Sequence, residues 1–325
     1  MNKKIKNAVN YLKNKKIKII LLLALSVGFY SCGDDAEDNP TSDFPTEDKI
    51  SIEQHVEQPG TLCDILEAAG IETYNVHKIK LSGFINGNDV SVIYSMPLED
   101  ADLSDVQIVG DGLSTSDNIL PSNLFNTKIE QVALPKTIIE IGKEAFEKCN
   151  NLTSIVIPNS VTSINDFAFY GCSGLTSIDI QSDNCDVGDY VFKDCSSLIS
   201  IKGSIGRGII GSSAFEGCSS LSAINISETV HQISGNAFAK CTSLTSITIP
   251  QKVSSLGIRD LNNKLAKNPF SGCTTLKEIH IKGSNPPETA SFDTYINITL
   301  YVPTGSKEAY KSHSIWGKFH SIIEE

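Results

Sequence analysis

From Leu134 onward the apolar positions recur in a fixed phrase. A Leu-x-x-Ile-x-Ile segment, as in Leu152, Ile155 and Ile157 or Leu175, Ile178 and Ile180, places apolar side chains on one face of a short strand. Pro158 and Pro250 end their strands, because proline cannot continue a ladder. A second inward pair follows, Val161 with Ile164 or Val230 with Ile233. Ala-Phe-x-x-Cys then sets two inward residues one helical step apart, which predicts a short turn of helix.

The phrase repeats. Cys149, Cys172, Cys195, Cys218 and Cys241 stand 23 residues apart, and Cys273 follows after 32. Each has a Phe three residues before it: Phe146, Phe169, Phe192, Phe215, Phe238 and Phe270. Each has a Leu three residues after it, from Leu152 to Leu276, and an Ile three further on. One such unit cannot bury its own apolar face, whereas stacked units can, at about 4.8 Å per rung of a parallel sheet. The cysteines then fall in a buried column, where a thiol acts as a small hydrophobe. No Cys-x-x-Cys pair and no periodic His supports a metal. In-register neighbours about 4.8 Å apart are too distant for a disulfide, whose Cβ atoms lie roughly 3.5–4.5 Å apart.

The stretch LTSIVIPNSVTSINDFAFYGCSG resembles the leucine-rich repeats of BspA-like bacterial surface proteins, similar to those of treponemes. The resemblance spans Leu134 to Ile281. It returns from Leu300, where LYVPTGSKEAYKSHSIWGKFHSIIEE is similar to the closing segment of many Bacteroidetes members. IKLSGFINGNDV and LEDADLSDVQI resemble their opening rungs, with Ile79/Leu81 and Ala101/Leu103 as strand pairs. The fold class expected is a β-rich leucine-rich-repeat solenoid of 23-residue repeats, with short parallel strands and short helical turns, capped at both ends. The resemblance implies exposed or secreted proteins engaged in adhesion and protein binding, and supplies no catalytic residue.

The start of the chain departs from this pattern. Residues 1–18 carry seven Lys and no acid, and Ile19 to Phe29 is apolar except for Ser26 and Gly28. That run is shorter than the roughly 20 residues a spanning helix needs and describes a secretory signal. SVGFYSCGDD resembles a bacterial lipoprotein signal, which implies cleavage before Cys32 and a lipid on its thiol. The acidic run Asp34, Asp35, Glu37 and Asp38 resembles the Bacteroidetes signal for display on the outer surface. An ordinary secretory signal ending near a Cys is the competing reading. The expected organisation is a signal peptide over 1–31, an acidic tether over 32–52, and an N-terminal cap with divergent opening rungs over 53–120. The repeat solenoid follows over 121–283, with an insertion at 258–267, and a C-terminal capping rung over 284–325.

Charge narrows the partners. The chain has 27 basic and 38 acidic residues; without the seven leader Lys the balance is 20 minus 38, or −18. Nucleic acid needs a cationic footprint and is excluded. No Gly-x-Ser-x-Gly or His-Glu-x-x-His motif is present, so no enzyme is expected, and no cofactor or metal. Asp179, Asp183, Asp186, Asp189 and Asp194 could offer oxygens to calcium, or form a solvated acidic loop. Gly203 stands where other repeats have Ile157, Ile226 or Ile249, which predicts a thinned, flexible rung. TLCDILEAAG, opening at Thr61 and closing at Gly70, predicts a capping helix, and GSKEAYKSH another, with Trp316 and Phe319 over the last rung.

The candidate binding surface is the set of outward strand positions. These are Thr153, Ser154; Thr176, Ser177, Asp179; Ser200, Lys202; Ser222, Asn225; Thr245, Ser246, Thr248; and Lys277, Glu278, His280. This polar, hydroxyl-rich strip lacks the aromatic platforms of sugar-stacking sites and suits a host or bacterial surface protein. Glycan capture in a nutrient-uptake system and a passive spacer are the alternatives. The insertion, with Arg259, Lys264 and Lys267, offers a second, cationic surface. Contact with the membrane runs only through the lipid on Cys32, which places the protein on the outer membrane, facing outward.

Overall fold

A computed structural model describes residues 49–183, 185–257, 267–289, 292 and 297–325, with the backbone of Lys18–Ile20. Lys18–Ile20 pairs antiparallel with residues 51–53. The rest of the leader, Cys32 with the acidic run, and most of the insertion lie outside the described residues.

Two parallel ladders run along the molecule. The long ladder carries the Ile-x-Ile strands: Ser154–Ile157, Ser177–Ile180 and Ser200–Lys202, then Ser246–Ile249, Glu278–Ile281, Thr299–Val302 and Ser321–Glu324. Partners lie in register, Ile155 on Ile178 on Ile201. The short ladder joins eight two-residue strands from Ile119–Leu120 to Glu288–Thr289 without a break among the described residues. The strands stop at Ile157 and Ile249, before Pro158 and Pro250.

Between the ladders lies a core of apolar columns. The Phe residues stack at 4.9–5.9 Å between ring centroids from Phe146 to Phe270. The column gains a ring at each end, Phe125 at 5.1 Å and Phe292 at 6.4 Å. Trp316 closes it against Phe292 at 5.1 Å, and its indole N–H donates to the Pro287 carbonyl at 2.8 Å. Tyr310, on the short helix Lys307–Ser312, donates its hydroxyl to the Gly283 carbonyl at 2.7 Å.

The Ala-Phe-x-x-Cys segment is a run of turns rather than a turn of helix. Bonds reach three residues, as from the Cys172 amide to the Phe169 carbonyl at 3.2 Å. Positive φ at Phe167, Tyr190 and their counterparts in other rungs is incompatible with helix and bends the chain round the corner.

The opening differs. Strand β1 (Ile50–Val56) begins inside the stretch read as tether and pairs parallel with β2 (Val76–Ile85), which pairs with β3 (Asp100–Ile108). Helices α1 (Leu62–Ala69) and α2 (Gly87–Ser95) fill the returns. Gly70, in the left-handed region at φ 68°, ends α1. Thr61 makes no side-chain cap; its hydroxyl donates to the Gln58 carbonyl instead. Asp89 does the fastening. Its buried carboxylate accepts from the amides of Gly60 (2.5 Å), Leu62 (2.8 Å) and Asn86 (3.0 Å), tying α1 to the start of α2.

Candidate binding surface

The outward side of the long ladder presents two columns of side chains. Ser154, Ser177, Ser200 and Ser246 form one, all exposed. Val156, Asp179, Lys202 and Thr248 form the other, in register across their strands. Thr153, Thr176, Thr245 and Lys277 flank them, also exposed. Part of this hydroxyl is occupied by the fold. Thr176 Oγ1 donates to the Thr153 carbonyl at 2.9 Å, stapling one rung to the last, and Ser222 does the same toward Ile199 at 3.4 Å. Among the described residues, no intramolecular bond engages the hydroxyls of Ser177, Ser200 and Ser246. Lys202 reaches Asp179 at 2.8 Å.

The strip is not continuous. Ser222 and Asn225 are exposed, but they lie on no strand. The cause is Gly203, at φ 99°, where a Cβ would meet the Ile180 carbonyl oxygen at 2.2 Å. The chain kinks there, so that Ile205 fills the place of the missing inward Ile and is fully buried. On this ladder its pairing with the next rung shrinks to a single isolated bridge between Ile205 and Ile226. Asn225 Nδ2 donates to Ser204 Oγ at 2.8 Å. The rung is repacked rather than thinned.

The strip also extends further than the repeat pattern indicates. Toward the C-terminus His280 stacks on Tyr301 at 4.4 Å with ring planes 4° apart, and Ile323, 42 % exposed, lies one strand beyond. His280 Nδ1 lies 3.0 Å from a carboxylate oxygen of Glu325, and Nε2 3.7 Å from Glu278. Lys282, at 2.9 Å, holds the Glu325 carboxyl below its usual range; burial opposes it, and His280 adds to the lowering. Toward the N-terminus the same face carries charge. Lys80 pairs with Glu53 and Lys78 with Asp100, each at 3.6 Å. A shallow groove of about 390 Å³ follows, between Asp100 and Asp102 on one wall and Thr153 and Val156 on the other. Burial pushes the Asp102 carboxyl up, but bonds from Ser104 and the nearby Lys80 and Lys136 outweigh it and hold it low.

Behind the face, the cysteine column is a ladder of thiols. Cys172 donates to the Phe146 carbonyl at 2.9 Å, Cys195 to Phe169 at 3.1 Å, Cys218 to Phe192 at 3.1 Å and Cys241 to Phe215 at 3.2 Å. Cys273 continues to Phe238 at 3.0 Å, and Cys149 begins the series at the Asn126 carbonyl, 3.5 Å away. Burial pushes Cys273 up to about 11 and Cys149 and Cys241 higher. All are free thiols. Such groups are neither nucleophiles nor ligands at neutral pH. The five aspartates are dispersed: Asp179 faces Lys202, and Asp189 Oδ1 accepts from the Ser212 amide at 2.6 Å. Among the described residues no three His, Cys, Asp or Glu side chains converge as a metal site would require. Of the insertion, only Lys267 is described; it is exposed, and its amide donates to the Gly257 carbonyl at 3.0 Å.

This stack of rungs is a leucine-rich-repeat solenoid. Residues 118–207 and 187–301 match the BspA type leucine rich repeat region, in six copies, and the chain belongs to that family. A leucine-rich repeat protein from Bacteroides ovatus is 23% identical, covering 78% of this chain and 72% of that one, with a TM-score of 0.49. The pneumococcal vaccine antigen PcpA is 18% identical over 84% of this chain and 68% of its own, with a TM-score of 0.45. A leucine rich cell surface protein from Faecalibacterium prausnitzii is 18% identical over 84% and 79%, with a TM-score of 0.34. No curated protein matches in sequence. No helix among the described residues is long and apolar enough to cross a membrane.

Proposed function

We propose that the chain is a cell-surface lipoprotein whose solenoid is a protein-binding, adhesive module, held outside the cell by a lipid on Cys32. The observation that carries the reading is the outward long-strand face. It is a solvent-facing array rich in Ser and Thr, interrupted at the Gly203 rung, that leads to the stacked pair His280–Tyr301. Small side chains let a partner surface approach the sheet closely, and a half-buried Tyr supplies the aromatic anchor around which binding energy concentrates. The face offers area on the scale of a standard interface, about 800 Å² per partner. Membership of the BspA-type family supports a binding module rather than an enzyme.

Capture from host matrix and from neighbouring bacterial surfaces tests it, with the full chain as bait beside a variant carrying Ser177→Arg, Ser200→Arg and Ser246→Arg. A partner held by the first and released by the second is expected. Equal capture by both baits would remove the face from the account. Cys32→Ala should abolish lipid labelling and free the protein from the membrane fraction. Retained labelling would contradict the anchor. Replacing Asp34, Asp35, Glu37 and Asp38 by Ala should keep the lipid but remove the protein from protease reach on intact cells.

A further inference from the structure

A second surface lies on the turn corner, away from the strand face. Each rung rounds this corner through a residue with positive φ: Glu144 (59°), Phe167 (61°), Tyr190 (59°), Ser213 (53°) and Asn236 (58°). Left-handed backbone suits Gly and Asn and is costly for bulky side chains. Two consecutive aromatics here break the local rule without serving the core. The core positions of those rungs belong to Phe169 and Phe192, both fully buried, while Phe167 and Tyr190 are only half-buried.

The two rings stack at 4.8 Å with planes 11° apart. Tyr170, also half-buried, meets Phe167 edge to face at 5.9 Å. Lysines cover the group: Lys143 lies 5.9 Å from the Phe167 centroid, Lys148 5.9 Å from Tyr170 and Lys193 5.6 Å from Tyr190. Each ammonium is matched by a carboxylate, Glu144 at 3.3 Å, Glu147 at 2.8 Å and Glu216 at 3.0 Å. The corner therefore alternates aromatic carbon with donor–acceptor pairs, of which Lys193–Glu216 is the most buried.

We propose that this belt is a saccharide-binding surface for a neutral, linear glycan. The outer edges of the half-buried Phe167, Tyr190 and Tyr170 rings offer aromatic carbon to the C–H groups of a pyranose. A carboxylate beside an ammonium gives a hydroxyl pair one acceptor and one donor, at little ordering cost where the ion pair is preformed. A polyanion is disfavoured, because every lysine of the belt is already matched and the carboxylates of Asp166 and Asp189 add negative charge beside it. Consecutive rungs present equivalent positions at the stacking distance of Phe167 and Tyr190, so an extended chain laid along the solenoid axis meets the same chemistry twice. The belt and the strand face are separate surfaces, and neither claim depends on the other.

Affinity electrophoresis of the full chain tests the belt, in native gels containing soluble mixed-linkage β-glucan, xylan or galactomannan, with heparin as the polyanion. Retardation by at least one neutral polysaccharide and none by heparin is expected. Phe167→Asn with Tyr190→Asn places at both corners the residue that Asn236 already provides. It should weaken retardation at least tenfold while the thermal midpoint stays close to that of the parent. Tyr170→Ser, at a position of ordinary backbone, should weaken it as well and gives the answer should the double variant unfold. The three-Arg variant of the strand face should be retarded like the parent. Absence of retardation in every neutral polysaccharide, retardation by heparin instead, equal retardation of parent and belt variants, or a protein partner lost with the belt aromatics would each overturn the proposal.

Discussion

The opening of the chain and its repeated middle solve one problem in two ways. Between β1 and β3 the strands are seven to ten residues long, the returns are helices, and the outer face is a lattice of Lys80–Glu53 and Lys78–Asp100 pairs. In the middle the strands are three or four residues, the returns are turns, and the outer face is mainly Ser and Thr, with Val156 and one Asp179–Lys202 pair. The first region adds individual polar clamps to its apolar core, Asp89 above all. The second is held by columns in which each side chain repeats the environment of its neighbour. A column distributes its stability over many equivalent sites, whereas a clamp concentrates it in one.

The largest effect should come from breaking a column at its centre. Phe215, fully buried with rings at 5.1 Å and 5.4 Å on either side, should cost about 3–5 kcal/mol when changed to Ala, read by denaturant unfolding. A loss below about 1 kcal/mol would mean that the column does not carry the fold. Asp89→Ala should cost about 2–4 kcal/mol, because three amides lose a charged acceptor in a buried site. That loss should fall on the opening rungs, with hydrogen exchange rising around α1 and α2 before the repeats. Uniform exchange would deny the contrast between the two regions.

Smaller effects sharpen it. Cys218→Ala should cost about 1–2 kcal/mol and Cys218→Ser less, since a hydroxyl keeps a donor toward the Phe192 carbonyl. The reverse order would assign the column to volume alone. Glu216 is a clamp inside the repeats. Burial pushes its carboxyl up, but bonds from Lys240, Lys193 and Ser213 outweigh it, so the folded value lies below the ordinary 4.5. A depressed carboxylate contributes stability above its unfolded value and loses it as pH falls through the folded one. Glu216→Gln should therefore destabilise at pH 7, and the difference should vanish on titration to strongly acidic pH. Least of all, Glu53→Ala should change stability by less than about 0.5 kcal/mol, as expected of an exposed pair.

The same contrast explains what the sequence made legible. Phe, Cys, Leu and Ile recur in identical surroundings six times, so their inward direction can be read from spacing. The stack of Phe125 and Phe292 on the column ends could not, because their rungs lack the accompanying Cys. Gly203 was readable as a defect, but not the repair by Ile205, which depends on where the kinked backbone places a residue two positions on. His280 and Tyr301 are 21 residues apart rather than 23, and meet only through the sheet register of two unlike rungs. Phe167 and Tyr190 do obey the period. Their left-handed backbone, which makes them conspicuous, has no mark in the sequence.

The central claim, that partners dock on the long-strand face, can be tested on living cells with a photo-crosslinking side chain at single positions. Thr176 lies on that face and Glu228 off it, near the short ladder; both are exposed. Illumination should yield a discrete protein adduct from position 176 and none from position 228. Adducts from 228 alone, or the same adducts from both, would contradict it.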